Sequence, residues 1–403
     1  MIMKVLQINS VCGVGSTGRI ACDLSREMTG AGIDNRIFYG VGQSDYELSR
    51  KFGGFVSLRT HQLGTRLTGR HGFFSTHTTK EMVQAIREYD PDIIHLHNIH
   101  GHYLNIEVLF RYLAGAGKPV VWTLHDCWAF TGHCAHFDLI GCEQWKTGCY
   151  DCPQKRSYPD SWFVDQSRRN WRRKKALFCS VDRLHLVTPS RWLANLAGES
   201  FLSDAQVSVI PNGIDLSAFS PSQSDLRREY APNGQKIVLG VTSSWSQRKG
   251  LGDLFELSRR LGDGYRVLLI GLSKEQAAAL PHGVCAKEHT DSVKQLAEYY
   301  TAADVYVNPT YEDNFPTTNL EALACGTPVI TYDTGGSPEA VDEHTGVVVP
   351  RGDLDALQKA VESTAQGIFD SNACCERAKQ YDRKLTAERY VRLYQGLASG
   401  DTV

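Results

Sequence analysis

Short, nearly uninterrupted runs of Val, Ile and Leu alternate along the chain with longer segments of helical periodicity. Such runs are typical of strands that are covered on both faces, as in parallel sheets. The pattern predicts nine strands, at 5–9, 36–39, 92–97, 119–124, 184–188, 236–242, 265–270, 304–308 and 328–331. It predicts helices between them, including 19–31, 79–89, 251–261, 293–302 and 353–365. Repeated alternation of this kind indicates an α/β fold.

The alternation occurs in two sets, which predicts two Rossmann-like, doubly wound domains. Pro211 and the Asn212-Gly213 pair interrupt the pattern between the sets, where a linker is expected. We therefore expect an N-terminal domain at 1–208 and a C-terminal domain at 209–380. A last helix within 381–403 is predicted to pack on either half, the N-terminal domain included.

Composition and charge exclude several classes of protein. Of 403 residues, 42% are hydrophobic and 22% charged, which is typical of a globular chain. The net charge of −2 divides into +6 for 1–199 and −8 for 200–403, too little positive charge for a nucleic-acid binder. No apolar run is long enough for a transmembrane helix, and the first residues resemble a strand rather than a signal peptide. A cytoplasmic protein is expected.

The segment 303–330 has the pattern strand, polar loop, helix, Gly-Thr-Pro turn, strand. A helix beginning near Pro316–Thr318 would direct backbone N–H groups into the loop, where they attract phosphate. Thr317 and Thr318 add hydroxyl donors, and Glu321 is spaced to accept hydrogen bonds from a ribose. The alternative is an ordinary helix N-terminus with acidic residues near it.

A second polar loop, 242–250, places Arg248 and Lys249 where the next helix begins. Cations are unfavourable at that end of a helix dipole, and a bound diphosphate would resolve the conflict. A pair of solvated cations is the alternative.

Taken together, these segments resemble family-4 glycosyltransferases of the GT-B fold, as found in bacterial exopolysaccharide, colanic-acid and O-antigen biosynthesis. The resemblance covers essentially the whole chain. It rests on segments 209–215, 248–250, 303–305, 320–330 and 335–339, the last matching the family's Gly-Gly-x-x-Glu.

The resemblance implies two domains facing a central cleft and a retaining transfer from a nucleotide sugar held by the second domain. It implies catalytic roles for His125, Arg248, Lys249 and Asp313. It implies donor-side roles for Gly15, Glu312, Asn314, Phe315, Pro316, Thr317, Thr318 and Glu321. The family usually has Glu where Asp313 stands here, so whether Glu312 or Asp313 contacts the sugar stays open.

Two features of the first half follow predicted strands. The Gly-rich loop 13–18 fits either a dinucleotide site or, by the resemblance, the floor of the acceptor cleft. The strand at 36–39 lacks a following acid to hold a ribose, which favours the second interpretation. His125 follows the strand at 119–124, and the resemblance implies a position near the donor sugar.

Five cysteines lie between Cys127 and Cys152, in a predicted insertion at about 127–160. In a cytosolic chain such a cluster favours metal over disulfides. The spacing predicts a structural zinc held by Cys134, Cys142, Cys149 and Cys152. An iron–sulfur cluster, disulfides or free thiols are the alternatives.

The partners expected are a UDP- or GDP-sugar and a saccharide or lipid-diphosphate-linked acceptor, with no cofactor or metal in catalysis. The basic run 168–175, with Trp171 inside it, predicts either peripheral contact with the inner face of a membrane or a solvated helix face. A nucleotide-sugar epimerase, an NAD-dependent oxidoreductase and a non-catalytic sugar-binding protein are the alternative functions.

Overall fold

The computed structural model describes residues 2–400 and divides into two compact units. The first contains the chain up to Pro211 and from Thr386 onward, and the second contains Asn212–Leu385. The first boundary lies three residues beyond the expected one because the N–H of Ile210 still bonds to the O of Thr188, at 3.0 Å.

The first unit contains a seven-stranded parallel sheet. Its strands are β1 (Lys4–Asn9), β2 (Asp34–Tyr39), β3 (Ser49–Lys51), β4 (Ile93–Leu96), β5 (Val120–Thr123), β6 (Leu184–Thr188) and β7 (Gln206–Val209). Its helices are α1 (Gly15–Gly30), α2 (Phe55–Thr68), α3 (Thr76–Tyr89), α4 (Ile106–Ala116), α5 (Ser167–Phe178) and α6 (Arg191–Gly198). The strand order β3-β2-β1-β4-β5-β6-β7 reverses direction between β1 and β4.

The second unit contains a six-stranded parallel sheet. Its strands are β8 (Lys236–Val241), β9 (Tyr265–Ile270), β10 (Val284–Lys287), β11 (Val305–Asn308), β12 (Val329–Tyr332) and β13 (Gly346–Val349). Its helices are α7 (Leu226–Tyr230), α8 (Leu251–Leu261), α9 (Lys274–Ala277), α10 (Val293–Ala302), α11 (Thr317–Ala324), α12 (Leu354–Thr364) and α13 (Ser371–Lys379). The order β10-β9-β8-β11-β12-β13 reverses between β8 and β11.

The predicted α/β class with two doubly wound units is confirmed. The central strands are buried on both faces, as their continuous apolar sequences predict: every residue of β4, β5 and β11 is buried. In such sheets ligands bind beyond the carboxyl ends of the strands, near the point where the order reverses. A ligand site is therefore expected at the loops after β8 and β11 in the second unit, or at those after β1, β4 and β5 in the first.

The last helix, α14 (Arg383–Ser399), begins in the second unit and continues into the first. Its Tyr390 and Tyr394 are buried, and the Tyr394 hydroxyl lies 2.7 Å from Nδ1 of His95 on β4. The Tyr390 hydroxyl lies 2.9 Å from Oγ1 of Thr123 on β5. The helix thus covers part of the first sheet. Within residues 2–400, no helix is long and apolar enough to span a membrane.

Candidate active site

In the second unit, hydrogen bonds join the loop after β8 to the loop after β11. Arg248 and Lys249 lie in a 3₁₀ turn (Gln247–Lys249) immediately before α8. The Arg248 guanidinium donates to the O of Glu312 at 2.9 Å, and the O of Arg248 accepts from the N–H of Tyr311 at 2.8 Å. These bonds bring both cations beside the loop that carries the predicted donor residues.

Gly250 allows the two loops to approach closely. It has a φ of +72°, and a Cβ at this position would lie 2.1 Å from the O of Pro309. Any side chain would therefore clash with backbone of the β11 loop in addition to straining its own conformation.

Lys249 forms an ion pair with Asp313, and both side chains are partly buried. The second carboxylate oxygen of Asp313 accepts from the N–H of Asn314 at 2.9 Å. Glu312 is almost fully buried, with 5% of its surface exposed. Of the two acids that the sequence left open, Asp313 is thus the one paired with the predicted phosphate-binding cation.

Helix α11 begins at Thr317, as the sequence predicts, directly after this loop. Its N-cap is Pro316, whose side chain has no group that could cap the first N–H groups. Asn314 and Phe315, the last loop residues before Pro316, are buried. Nδ2 of Asn212 donates to the O of Phe315 at 3.0 Å. Asn212 thus helps to fix the entry into α11.

Glu321 lies one turn inside α11 and is buried. Its carboxylate accepts a hydrogen bond of 3.0 Å from the Tyr300 hydroxyl on α10. Burial, reinforced by the adjacent carboxylate, raises the pKa of Tyr300 well above its ordinary value, so the hydroxyl remains a donor. Sequence reasoning missed Tyr300 because its partner is 21 residues away.

In the first unit, Gly15 opens α1 at the carboxyl end of β1. It has a φ of +64°, and a Cβ there would meet no described atom within 4 Å. The loop before it is closed by a 3.1 Å bond from the N–H of Gly13 to the O of Gly18. Backbone conformation rather than crowding therefore favours glycine at position 15.

His125 follows β5 at the same edge of the sheet, and a chain of hydrogen bonds holds its ring. Nε2 of Gln7 donates to the O of Ala21 at 3.1 Å, which turns the Gln7 oxygen toward Nε2 of His97, 2.9 Å away. That nitrogen must donate, so Nδ1 of His97 accepts from Nε2–H of His125 at 3.1 Å. Nδ1 of His125 is then the acceptor nitrogen of the ring.

The rings of His97 and His125 are both neutral near pH 7. Burial lowers the pKa of His125 to about 4 and lowers the pKa of His97 well below its ordinary value. Period-two spacing in the sequence places His97 on the same face as His95, but it did not reveal the bond to His125.

His100 bonds to Asp126, the residue after His125, and the sequence did not predict this contact. Its Nε2 lies 2.8 Å from the carboxylate of Asp126, and its Nδ1 lies 2.9 Å from the Tyr158 hydroxyl. Burial opposes ionisation of Asp126, but the charge and hydrogen bond of His100 outweigh it and lower the pKa of Asp126. The only sequence signal was a histidine shortly after a predicted strand.

The predicted zinc ligands form no recognisable metal site. All twelve cysteines are free thiols, with Cys134 and Cys149 buried and Cys142 and Cys152 half-buried. Across residues 2–400, no three His, Cys, Asp or Glu side chains are placed to hold a metal ion. Burial raises the pKa of Cys149 and Cys152 to about 11, which favours protonated thiols. Cys134 lies near enough to Cys142, Cys149 and Cys152 for their charges to raise its pKa further. The zinc site stays a prediction, and about one zinc per purified chain would support it.

The basic run 168–175 divides between two sides of α5, because Arg168, Arg169, Arg172 and Lys175 are exposed while other residues of the run are not. Trp171 and Lys174 on α5 are buried. Nζ of Lys174 donates to the O of Trp128 at 2.7 Å and to the O of Thr131 at 3.1 Å. Arg173 is paired with Glu107 on α4. Within this run, Trp171 and Lys174 therefore bond to the Cys-rich insertion, whereas Arg173 pairs with α4.

Two family models match the chain. Residues 17–218 match the model described as Glycosyltransferase Family 4, and residues 235–366 match the model described as Glycosyl transferases group 1. The chain belongs to glycosyltransferase family 4. The predicted family and the predicted enzyme class are thereby confirmed.

Three known proteins show how far the likeness extends. The enzyme is 28% identical to the putative colanic acid biosynthesis glycosyl transferase WcaC of Escherichia coli K12, across 98% of this chain and 100% of that protein. Sucrose-phosphate synthase from Thermosynechococcus elongatus matches with a TM-score of 0.72 and 18% identity, covering 99% and 100% of the two chains. Anabaena HepE, solved with UDP and glucose, matches with a TM-score of 0.67 and 16% identity, covering 98% and 100%. The GT-B fold is thus confirmed.

Proposed function

We propose that this glycosyltransferase transfers a sugar, with retention of anomeric configuration, from a nucleoside-diphosphate sugar to a growing, lipid-linked polysaccharide acceptor. The observation that carries the proposal is the pairing of Lys249 with Asp313 directly before the N-terminus of α11. A cation, an acid and backbone N–H groups meet there, at the reversal point of the second sheet.

The donor diphosphate binds beside this ion pair and the N-terminus of α11. Arg248 and Lys249 neutralise its charge, and the first N–H groups of α11 donate to its oxygens. As the bond between the anomeric carbon and the phosphate oxygen breaks, its electron pair moves to the phosphate. Fixed cations and amides stabilise the developing charge without reorganisation. Glu321 binds the ribose, and Asp313 contacts the sugar.

The acceptor hydroxyl then attacks the anomeric carbon from the face that the diphosphate leaves. Its oxygen forms the new glycosidic bond, and its proton passes to the departing phosphate, so no carboxylate nucleophile is required. His125 accepts a hydrogen bond from a sugar hydroxyl through Nδ1, the nitrogen that its bond to His97 leaves as an acceptor. No metal ion takes part in these steps.

Two similarities support the donor and acceptor classes. HepE was solved with UDP and with glucose, which supports a nucleotide-sugar donor. WcaC is named for colanic acid biosynthesis, which supports a polysaccharide acceptor. We propose that transfer occurs in the cytoplasm, where nucleotide sugars are made, at the inner face of the membrane that carries the acceptor.

Incubation with UDP-glucose and with GDP-mannose tests this proposal, with ion-pair chromatography to detect released nucleoside diphosphate. We expect slow release of UDP or GDP, and NMR should show the freed sugar first in the anomeric form of the donor. An inverted sugar would contradict retention. A new nucleotide sugar formed without release would favour an epimerase instead.

A further inference from the structure

Helix α2 has its apolar side outward. Phe55 and Val56 are 71% and 73% exposed, and Leu63 and Leu67 are 51% and 42% exposed. The buried residues of this fully described helix are the polar His61 and Thr65. A surface helix of a globular unit normally has the opposite arrangement, with apolar residues toward the core.

A second apolar segment lies against the same helix. The N–H of Trp162 donates to the O of Arg66 at 2.8 Å, which docks segment 162–164 onto the C-terminal half of α2. Trp162 is 41% exposed and Phe163 is 69% exposed. We call these exposed side chains the outer face, comprising Phe55, Val56, Leu63, Leu67, Trp162 and Phe163. Exposed apolar groups collected in one place mark an interaction surface.

On the α2 side of the outer face the charge is positive. From Leu48 to Lys80 the chain contains six Lys or Arg residues and no Asp or Glu. Arg59 belongs to the same side of α2, four residues after Phe55 and four before Leu63, with its guanidinium 5.1 Å from the Phe55 ring. The Arg66 guanidinium lies 5.4 Å from the Trp162 ring and 3.2 Å from the carboxylate of Asp160.

We propose that the outer face binds the surface of an anionic lipid bilayer. An apolar helix face with arginines interspersed, bordered by Trp and Phe, has the chemistry of an interfacial helix. Its apolar side chains enter the boundary between headgroups and acyl chains while the cations contact lipid phosphates. A second copy docked face to face would bring arginines against arginines, which disfavours that occupant.

Co-sedimentation with lipid vesicles tests the inference without donor or acceptor, so its outcome is independent of sugar transfer. We expect the protein to sediment with phosphatidylcholine vesicles containing about one third phosphatidylglycerol, and to bind much less to pure phosphatidylcholine. The double variant Val56→Ser/Leu63→Ser should weaken binding at least about tenfold, from the lost apolar contact. Both side chains are exposed, so thermal melting should not change.

Ile368→Ser is the matched control, because Ile368 is 60% exposed in the second unit, and it should bind vesicles like the wild type. Arg59→Gln should weaken binding to the anionic vesicles only. Wild-type protein that stays in the supernatant with both vesicles would overturn the inference, as would a Val56→Ser/Leu63→Ser variant with wild-type binding. A wild-type dimer in sedimentation equilibrium that this variant dissociates would assign the face to a second copy instead.

Discussion

Nε2 of His125 lies 3.1 Å from Nδ1 of His97, and the two rings are nearly parallel, with 17° between their planes. Because His97 is anchored in turn by Gln7, this contact fixes both the orientation and the tautomer of His125. His97 is therefore a positioning residue for a ring that we propose to contact the donor sugar.

His97→Ala should lower kcat by about ten- to a hundredfold, because a loosened His125 presents the wrong nitrogen or the wrong angle. KM for the donor should change much less, since the proposed phosphate-binding groups are in the second unit. Initial rates of nucleoside-diphosphate release measure both constants. His185→Ala is the control, because it also removes a buried histidine, on β6, but one bonded to Ser208. Equal losses of kcat in the two variants would mean that His97 acts only through stability.

Gly250→Ala should destabilise the second unit and reduce turnover. The added methyl group would have to displace the backbone of Pro309 or change a φ of +72°. We expect a loss of about 1–3 kcal/mol in the free energy of unfolding, measured by urea denaturation. Gly252→Ala, two residues later inside α8, meets no described atom within 4 Å and should be neutral or slightly stabilising. Equal effects of the two substitutions would contradict the need for glycine at position 250.

Lys174→Ala should destabilise the Cys-rich insertion by about 1–3 kcal/mol, because it leaves the carbonyl groups of Trp128 and Thr131 buried without their donor. Burial also lowers the pKa of Lys174 well below its ordinary value, so the amine acts as a hydrogen-bond donor rather than a solvated charge. Urea denaturation followed by tryptophan fluorescence measures the change. Lys175→Ala, at the neighbouring position, is the control and should cost little. A stable Lys174→Ala protein would show that the insertion does not depend on this side chain.

The enzyme should lose stability as the pH falls below about 6.5. Burial lowers the pKa of both His61 and His95 to about 3. Between the unfolded pKa of about 6.5 and the folded pKa of about 3, the unfolded chain binds protons that the folded chain does not. Acidification therefore favours unfolding. Each histidine should contribute about 1.4 kcal/mol per pH unit between its unfolded and folded pKa values.

Urea denaturation between about pH 7 and about pH 5 measures this slope. His61→Asn should flatten it, whereas His77→Asn, which changes an exposed histidine on α3, should leave it unchanged. A wild-type stability that stays level across this interval would contradict the burial of neutral histidines.

The sequence predicted the central strands of both sheets but missed β3, β7, β10 and β13. These four are the outermost strands, and every residue of β7 and β10 is only partly buried or exposed. An edge strand has fewer neighbours and needs no continuous apolar run, so its pattern is weak. Helix α2 is not among the helices predicted from the sequence. Its apolar residues face outward and its buried residues are polar, which inverts the usual pattern.

The proposed donor-side residues could be predicted because they are close together in sequence. Arg248 and Lys249 adjoin one helix start, and 312–321 surrounds another, so local spacing was sufficient. His100 and Tyr300 could not be found in this way, because their partners Asp126 and Glu321 lie 26 and 21 residues away. The metal site predicted from the cysteine spacing stays a prediction.

Isothermal titration calorimetry with UDP and with GDP tests the central claim most directly, using wild-type enzyme, Lys249→Ala and the exposed-lysine control Lys274→Ala. We predict that at least one nucleotide binds the wild type and Lys274→Ala equally well. Lys249→Ala should bind it about ten- to a hundredfold more weakly, the effect of one charge-assisted hydrogen bond. Equal affinity in all three proteins, or binding of neither nucleotide to the wild type, would contradict the assignment of the donor site to Lys249 and the start of α11.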